Sequence, residues 1–400
     1  MSPAADLDQY SGAGHGSGVL ASLVSVSHQE FADEYWGRRA LLSPRVSDFS
    51  DLFSASAVDE LISRRGLRSP FLRVAKDGET LPTSSFTSPA GVGATIADQL
   101  DDTALWRHFE AGATLVLQAL QRTWEPIGAF ASRLGEELGH PVQANAYVTP
   151  PQNQGFDDHY DVHDVFVLQI SGTKRWVIHE PVIDHPLRDQ PWTDRRAQVA
   201  EAARRAPVID AVLEPGDVLY LPRGWLHAAT AQGEVSLHLT LGVHSWTGHA
   251  VAEQLAQAVV TMLRDDPEVR ASLPLGLEQL DESTVDLVRK RFVEALAAAD
   301  PRPAFHRARR SQARPAPLGP LAQLDTLSEL RPDTILRWRG GLDSTFDGSR
   351  LMTRVGWLDF TEPELVIVHR LLCGEELSCE ETGAELSRRL LRAGVLVAAR

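Results

Sequence analysis

His159, Tyr160 and Asp161 stand together, and His227 follows much further along the chain. Two imidazoles and one carboxylate are the donor set of a non-haem Fe(II) centre, gripping the metal from one side and leaving the other positions open. Residues two apart on a strand point the same way, so His159 and Asp161 share a pocket if they lie on or just off a strand. Val165 to Ile170, which follow, are β-branched and aromatic-rich and read as that strand. His159 and His163 also have H-x-x-x-H spacing, a zinc pair if the segment were a helix. It lacks helical periodicity, which sets that reading aside. Zinc is still able to occupy the triad in vitro, because affinity alone does not select iron.

The flanking segments supply the elements that must hold these residues. Asn145 to Pro151 reads as a strand that ends at prolines, and Gly155-Phe156 leads into His159. Ser171 to Ile178 reads as a turn around Gly172 and a second strand, which predicts a hairpin carrying Lys174 near its start. Leu213 to Asp217 holds Pro-Gly in the order a tight turn needs. That turn feeds Val218 to Pro222, then Arg223-Gly224-Trp225 and His227. The next strand, Val235 to Val243, alternates and carries His238.

H-Y-D, F-V-L-Q-I-S-G-T-K-R-W, E-P-G-D-V-L-Y-L-P-R-G-W-L-H and S-L-H-L-T-L together resemble the JmjC-type cupin oxygenases. More narrowly, they resemble the ribosomal oxygenases, which hydroxylate side chains of ribosomal proteins. Phe31 to Arg39 is similar to that family's F-x-x-E-Y-W segment, and Ala111 to Leu115 to its G-A-T-L stretch. The likeness covers roughly residues 29–248 by motif and the remainder by layout. It implies an α+β fold: a double-stranded β-helix (cupin/JmjC jelly roll), a helical dimerisation-like region and a C-terminal winged-helix-like domain. It implies that His159, Asp161 and His227 bind Fe(II), with 2-oxoglutarate and O2 as co-substrates. Lys174 lies fifteen positions after His159, where the family places a base that pairs with the distal carboxylate of 2-oxoglutarate; a solvated hairpin lysine is the alternative. Asn145 and Tyr147 fall where the family has polar residues contacting the co-substrate, the alternative being a strand's ordinary polar face. His238 is a pocket histidine by resemblance and a core histidine by its apolar surroundings.

The 400 residues predict two or three domains, and 43% hydrophobic with 23% charged residues is ordinary for a globular chain. A net charge of −15 argues against a general nucleic-acid binder and suits a basic protein partner, such as a ribosomal protein. Cys373 and Cys379 are the only cysteines, which excludes a disulfide framework and fits a reducing, cytoplasmic setting. No apolar run is long enough for a membrane span, and no signal peptide is expected.

Five segments are expected: a disordered tail over 1–20, a catalytic domain over 21–248, helices over 249–300, an extended Pro/Arg linker over 301–320 and a small domain over 321–400. Gly12, Gly14, Gly16 and Gly18 belong to the tail and lack the context of a phosphate loop. An insert at 184–206 reads as a loop plus a helix from about Thr193, placed to carry substrate contacts. His179, His185 and His244 read as surface or packing residues. Helices over 249–300 imply a homodimer by resemblance, or a layer packed on its own chain. The last 80 residues hold 13 acidic and 10 basic side chains, net −3, so a structural or protein-contact module is expected rather than a DNA binder.

The expected activity is Fe(II)- and 2-oxoglutarate-dependent hydroxylation of a protein side chain. The same chemistry on a small molecule or biosynthetic peptide is one alternative. A non-catalytic metal-binding cupin with a protein-contact role is another, and demethylation of lysine in histone-like tails is a third.

Overall fold

The computed structural model describes residues 18–399 apart from Asp77, Ala94, Gly155, Pro274 and Leu277. Most of the expected tail, including Gly12, Gly14 and Gly16, lies outside the described residues. Its end is corrected: Val19–Ser22 is a 3-10 turn, and Leu20 is buried in the main core. The chain divides into two compact units, one ending at Ser245 and the other running from Trp246.

The first unit is built on two antiparallel sheets. The major sheet has eight strands in the order Leu41–Ser43, Val218–Leu221, Asp164–Ser171, Ser236–Val243, Val142–Thr149, Thr114–Leu117, Leu72–Lys76 and Glu79–Thr80. The minor sheet has three, in the order Ile209–Leu213, Lys174–His179 and Leu226–Ala231. Both Ser236–Val243 and Asp164–Ser171 are buried along most or all of their length. Asp164–Ser171 carries apolar side chains on both faces, whereas Ser236–Val243 puts Leu237, Leu239, Leu241 and Val243 on one face and Ser236, His238 and Thr240 on the other. Alternation sorts those side chains. Phe166, Leu168, Tyr220, Leu239 and Leu241 join the main core with Ile127 and Leu134 of helix Glu125–Leu138. Val165, Val167, Leu219 and Leu221 face the other way, against Trp176, Ile178 and Leu213 of the minor sheet. The candidate ligands lie on this inter-sheet side.

The expected hairpin at Gly172 is corrected. Asp164–Ser171 and Lys174–His179 belong to different sheets and do not pair with each other; the chain crosses between sheets at this corner. Gly172 has φ +63°, and a Cβ there would run into the Val235 carbonyl oxygen. The Gln169 amide pins the corner by donating to the carbonyls of Ser171 and Gly172 and to the Ser236 hydroxyl. The corner thus fixes where Lys174 enters the space between the sheets. Gly172→Ala is expected to lower unfolding stability by roughly 2 kcal/mol or more, through the left-handed backbone and the clash together. A urea midpoint within error of wild type would contradict this.

The insert carries a 3-10 turn at Trp192–Arg195 and a helix at Arg196–Ala202. Val199 and Ala202 bury against Tyr160 and Leu226, and the Tyr160 hydroxyl donates to the Gln190 carbonyl at 2.9 Å. These contacts fasten the insert to the segment that carries His159 and Asp161.

In the second unit, helices Gly248–Leu263 and Glu282–Ala298 bury little of their apolar surface. Val251, Val260, Met262, Val288, Val293 and Leu296 are exposed, and Val259 is buried. The extended linker is corrected: Arg302–Gln312 is a helix with Pro303 in its first turn, where a missing N–H costs nothing. Ala304 is buried there, and Phe305 packs edge-on against Trp246. The last 80 residues have their own core, including Leu336, Leu351, Val368, Leu371, Leu390 and Leu396. Helix Glu362–Leu372 is followed by two short helices, Cys379–Thr382 and Ala384–Arg392, separated by a break at Gly383. Two three-stranded sheets, built mostly from Ile335 to Asp359, also belong to this core.

Candidate metal centre

His227 lies on Leu226–Ala231, and His159 pairs with it as an isolated antiparallel bridge. The two backbones exchange hydrogen bonds, His227 N to His159 O at 2.8 Å and His159 N to His227 O at 3.2 Å. Asp161, two residues on, is held through its main chain, its carbonyl accepting from Gly224 N–H at 3.0 Å. The fold thereby brings one nitrogen or carboxylate oxygen of each of His159, Asp161 and His227 within 4.8 Å of one another. Asp161 Oδ2 lies 3.8 Å from His227 Nε2.

Each histidine is turned by a main-chain carbonyl. His159 Nδ1 lies 2.6 Å from the Asp157 carbonyl and His227 Nδ1 3.1 Å from that of Trp225. A carbonyl only accepts, so each Nδ1 carries a proton, which leaves Nε2 as the lone-pair donor of the neutral ring. Burial, with His159 close by, pushes the His227 pKa down to about 4, so its imidazole is neutral at physiological pH. Desolvation raises the Asp161 carboxyl, but His163, His227, His159 and Arg73 outweigh it and keep the pKa below its usual range. Neutral imidazoles and an ionised carboxylate are the forms a divalent cation needs. The donor set fits such an ion, with positions left open on the far side.

The triad opens into a cavity of about 200 Å³, lined also by Arg73, Thr114, Tyr147, Lys174, Trp176 and His238, with Phe156 and Trp192 among its aromatic walls. Lys174 is 3% exposed. Its ammonium donates to Thr149 Oγ1 at 3.0 Å, and Thr149 also accepts from Thr114 at 3.2 Å. It has no carboxylate partner among the described residues, and burial pushes its pKa down to about 7. A buried ammonium held only by a hydroxyl is set to pair with an anion. Tyr147 and His238 stack in parallel, centroids 4.8 Å apart, and Trp176 meets the His238 ring edge-on. Burial raises the Tyr147 hydroxyl to about 12, with Asp161 adding to the rise. Burial lowers His238 well below its ordinary value, and the charges of Lys174 and His227 push the same way. His238 Nδ1 has no partner among the described residues.

Of the seven residues singled out from the sequence, six line this cavity. Asn145 does not. It shares a strand face with Tyr147, but two residues is about 7 Å along a strand. Its side chain lines a neighbouring cavity of about 310 Å³ and accepts from the Ala119 N–H at 3.1 Å. Thr114, Thr149 and Phe156 lie in segments read from the sequence as the G-A-T-L stretch, a strand and the lead into His159, but they were not singled out as site residues. Arg73 and Trp192 were not marked as residues at all. His244, read as a packing residue, stacks on His163 at 5.1 Å, and His179 is buried.

Residues 102–251 match the model of the JmjC domain family. The chain is 31% identical to "Ribosomal oxygenase 1" of Gallus gallus over 276 residues, 66% of this chain and 44% of that protein. It is 34% identical over 179 residues, 44% of this chain and 25% of the other, to the "Bifunctional lysine-specific demethylase and histidyl-hydroxylase NO66" of Drosophila persimilis. The chain thus spans less than half the length of these curated relatives. Among solved structures it is similar to YcfD, a ribosomal oxygenase from Escherichia coli determined with cobalt and 2-oxoglutarate. That match has a TM-score of 0.58 at 18% identity and covers 94% of this chain and 99% of the other. At that identity the likeness concerns the fold, and it agrees with a jelly roll built on the large antiparallel sheet. No helix among the described residues is long and apolar enough to cross a membrane. Domain match, relatives and fold agree: the chain carries a JmjC domain and resembles the ribosomal oxygenases.

Proposed function

We propose that this protein is an Fe(II)- and 2-oxoglutarate-dependent oxygenase that hydroxylates a protein side chain, with a ribosomal protein as substrate. One observation carries the reading: an open two-histidine, one-carboxylate triad shares its cavity with a buried lysine that lacks a counter-anion. A dicarboxylate that chelates at one end and pairs at the other answers both needs. His159, Asp161 and His227 hold the metal. Lys174, steadied by Thr149, takes the distal carboxylate. Tyr147 stays protonated and able to donate, while His238 stays neutral beside Lys174 and adds no competing charge. Trp176, Val165 and Val167 exclude water from the inner wall. When bound, iron with 2-oxoglutarate and O2 supplies the oxidation: one oxygen atom enters a substrate C–H bond, the other enters succinate, and CO2 leaves.

Phe156 and Trp192 both stand close to His159, their ring centroids 5.7 and 6.2 Å from its own. Each aromatic ring is backed by a guanidinium, Arg73 over Phe156 and Arg196 over Trp192. These rings form the surface that positions a side chain over the metal. The likeness to ribosomal oxygenases and the net charge of −15 favour a basic ribosomal protein as partner. The exposed apolar residues of Gly248–Leu263 and Glu282–Ala298 are read as a dimerisation surface, and the last 80 residues as a winged-helix-like protein-contact module. Two cysteines and the ribosomal partner favour a cytoplasmic setting.

The test is an anaerobic titration of the apoprotein with Fe(II) and then 2-oxoglutarate, followed by visible absorption. A weak charge-transfer band that needs both components, and is absent in His159→Ala, is the expected result. Bound Fe(II) with no band on adding 2-oxoglutarate would overturn the reading.

A further inference from the structure

Three residues past Asp161 lies a second carboxylate, Asp164, which is 1% exposed. It is not a ligand candidate, and burying it carries a desolvation cost that only its partners offset. Oδ1 accepts from the Arg223 backbone N–H at 2.9 Å. Oδ2 accepts from the Ser245 hydroxyl and lies 3.7 Å from the Arg223 guanidinium. What Asp164 grips is the turn Pro222–Trp225, closed by Trp225 N–H on the Pro222 carbonyl at 3.2 Å.

The main chain of that turn touches two of the three candidate ligands directly. Gly224 N–H holds the Asp161 carbonyl, and the Trp225 carbonyl fixes the proton on His227 Nδ1. His227 in turn pairs backbone to backbone with His159. The turn has little freedom on its other side: Gly224 has φ +92°, and a Cβ there would meet the Ile183 carbonyl at 2.7 Å.

We infer that Asp164 is the positioning residue of the metal centre, an anchor that sets the Pro222–Trp225 turn and through it the spacing and tautomer of the ligands. This rests on the proposed metal-binding reading and adds a residue to it. Changes to partners that orient metal ligands cost roughly 10- to 100-fold in metal affinity. Asp164→Asn keeps the shape and an acceptor for Arg223 N–H, and loses the charge facing the guanidinium.

The experiment titrates full-length apoprotein with Co(II) and follows its d–d absorption. Asp217→Asn is the control. Asp217 is a buried carboxylate of the same kind, accepting from the backbone N–H groups of Arg45 and Glu214, both at 2.8 Å, and it anchors a turn that holds no ligand. Expected are a 10-fold or greater loss of Co(II) affinity and an altered d–d envelope in Asp164→Asn, with both unchanged in Asp217→Asn. Wild-type affinity and spectrum in Asp164→Asn would overturn the assignment, as would an equal loss in Asp217→Asn, which would mark a general effect of stability. If Asp164→Asn fails to fold, Ser245→Ala removes one hydrogen bond and keeps the charge. A several-fold loss of affinity there supports the anchor, and none overturns it. Failure of the wild type itself to bind Co(II) would instead sink the metal-binding reading.

Discussion

Asp161→Ala is expected to abolish 2-oxoglutarate turnover and to lower Fe(II) affinity by well over the roughly 100-fold that loss of an orienting partner can cost. The remaining donors are two imidazoles, neither of which can supply a negative charge, so the centre loses its only anionic ligand. The fold should survive, because Asp161 is tied to the Pro222–Trp225 turn through its main-chain carbonyl, which alanine retains. Parallel measurements of Fe(II) affinity, succinate formation and urea midpoint check this. Full succinate production by a folded Asp161→Ala protein would show that the triad is not the catalytic centre.

Lys174→Ala is expected to raise the 2-oxoglutarate KM roughly 30- to 3,000-fold, since truncating one partner of a buried charge pair costs about 2–5 kcal/mol. Fe(II) affinity should change little, because Lys174 is not a ligand. The pH dependence follows from the depressed pKa of about 7. Above that pH the free amine is neutral and must take up a proton to pair with the carboxylate. Wild-type affinity for 2-oxoglutarate should therefore fall as pH rises from 7, by up to about tenfold per unit, and Lys174→Ala should lack that slope. Stability has the opposite trend. A lysine whose folded pKa lies below its unfolded value destabilises the fold when protonated, fully below pH 7 and not at all above about 10.5. Lys174→Met should thus make the apoprotein more stable at neutral pH, by an amount on the order of 3 kcal/mol that shrinks as pH rises. An unchanged KM would remove Lys174 from the co-substrate pocket.

The H-x-D beside a β-rich run is a local signal, but His227 and Lys174 were legible through the motifs that carry the family resemblance, E-P-G-D-V-L-Y-L-P-R-G-W-L-H and I-S-G-T-K-R-W. Tyr147 and His238 were legible as strand residues of one parity, and they meet because register sets them opposite each other. Arg73 was not legible, and Thr114 and Thr149, though inside segments read as a motif and a strand, were not legible as pocket residues. Thr149 reaches Lys174 across sheets, and Arg73 comes from a strand two places away from Tyr147 in the major sheet. Such contacts depend on strand order, which no short window contains. The corner at Gly172 was misread for the same reason: two consecutive strands and a glycine look alike whether the chain folds back or changes sheet. The Arg302–Gln312 helix was hidden by composition, since prolines that seemed to forbid a helix sit at its start and beyond its end. Asn145 shows the limit of parity, which gives the face of a strand but not the position along it.

The two metal-facing imidazoles take their orientation from carbonyls two residues upstream, at Asp157 and Trp225. Elsewhere that task often falls to a carboxylate side chain, which a single substitution can delete. Here the orienting atom is present whatever side chain stands at those positions. The protonation pattern of the centre therefore does not depend on which side chain stands at 157, whereas Trp225 is itself a buried core residue. Asp157, whose side chain is exposed, can therefore change without removing the carbonyl that orients His159.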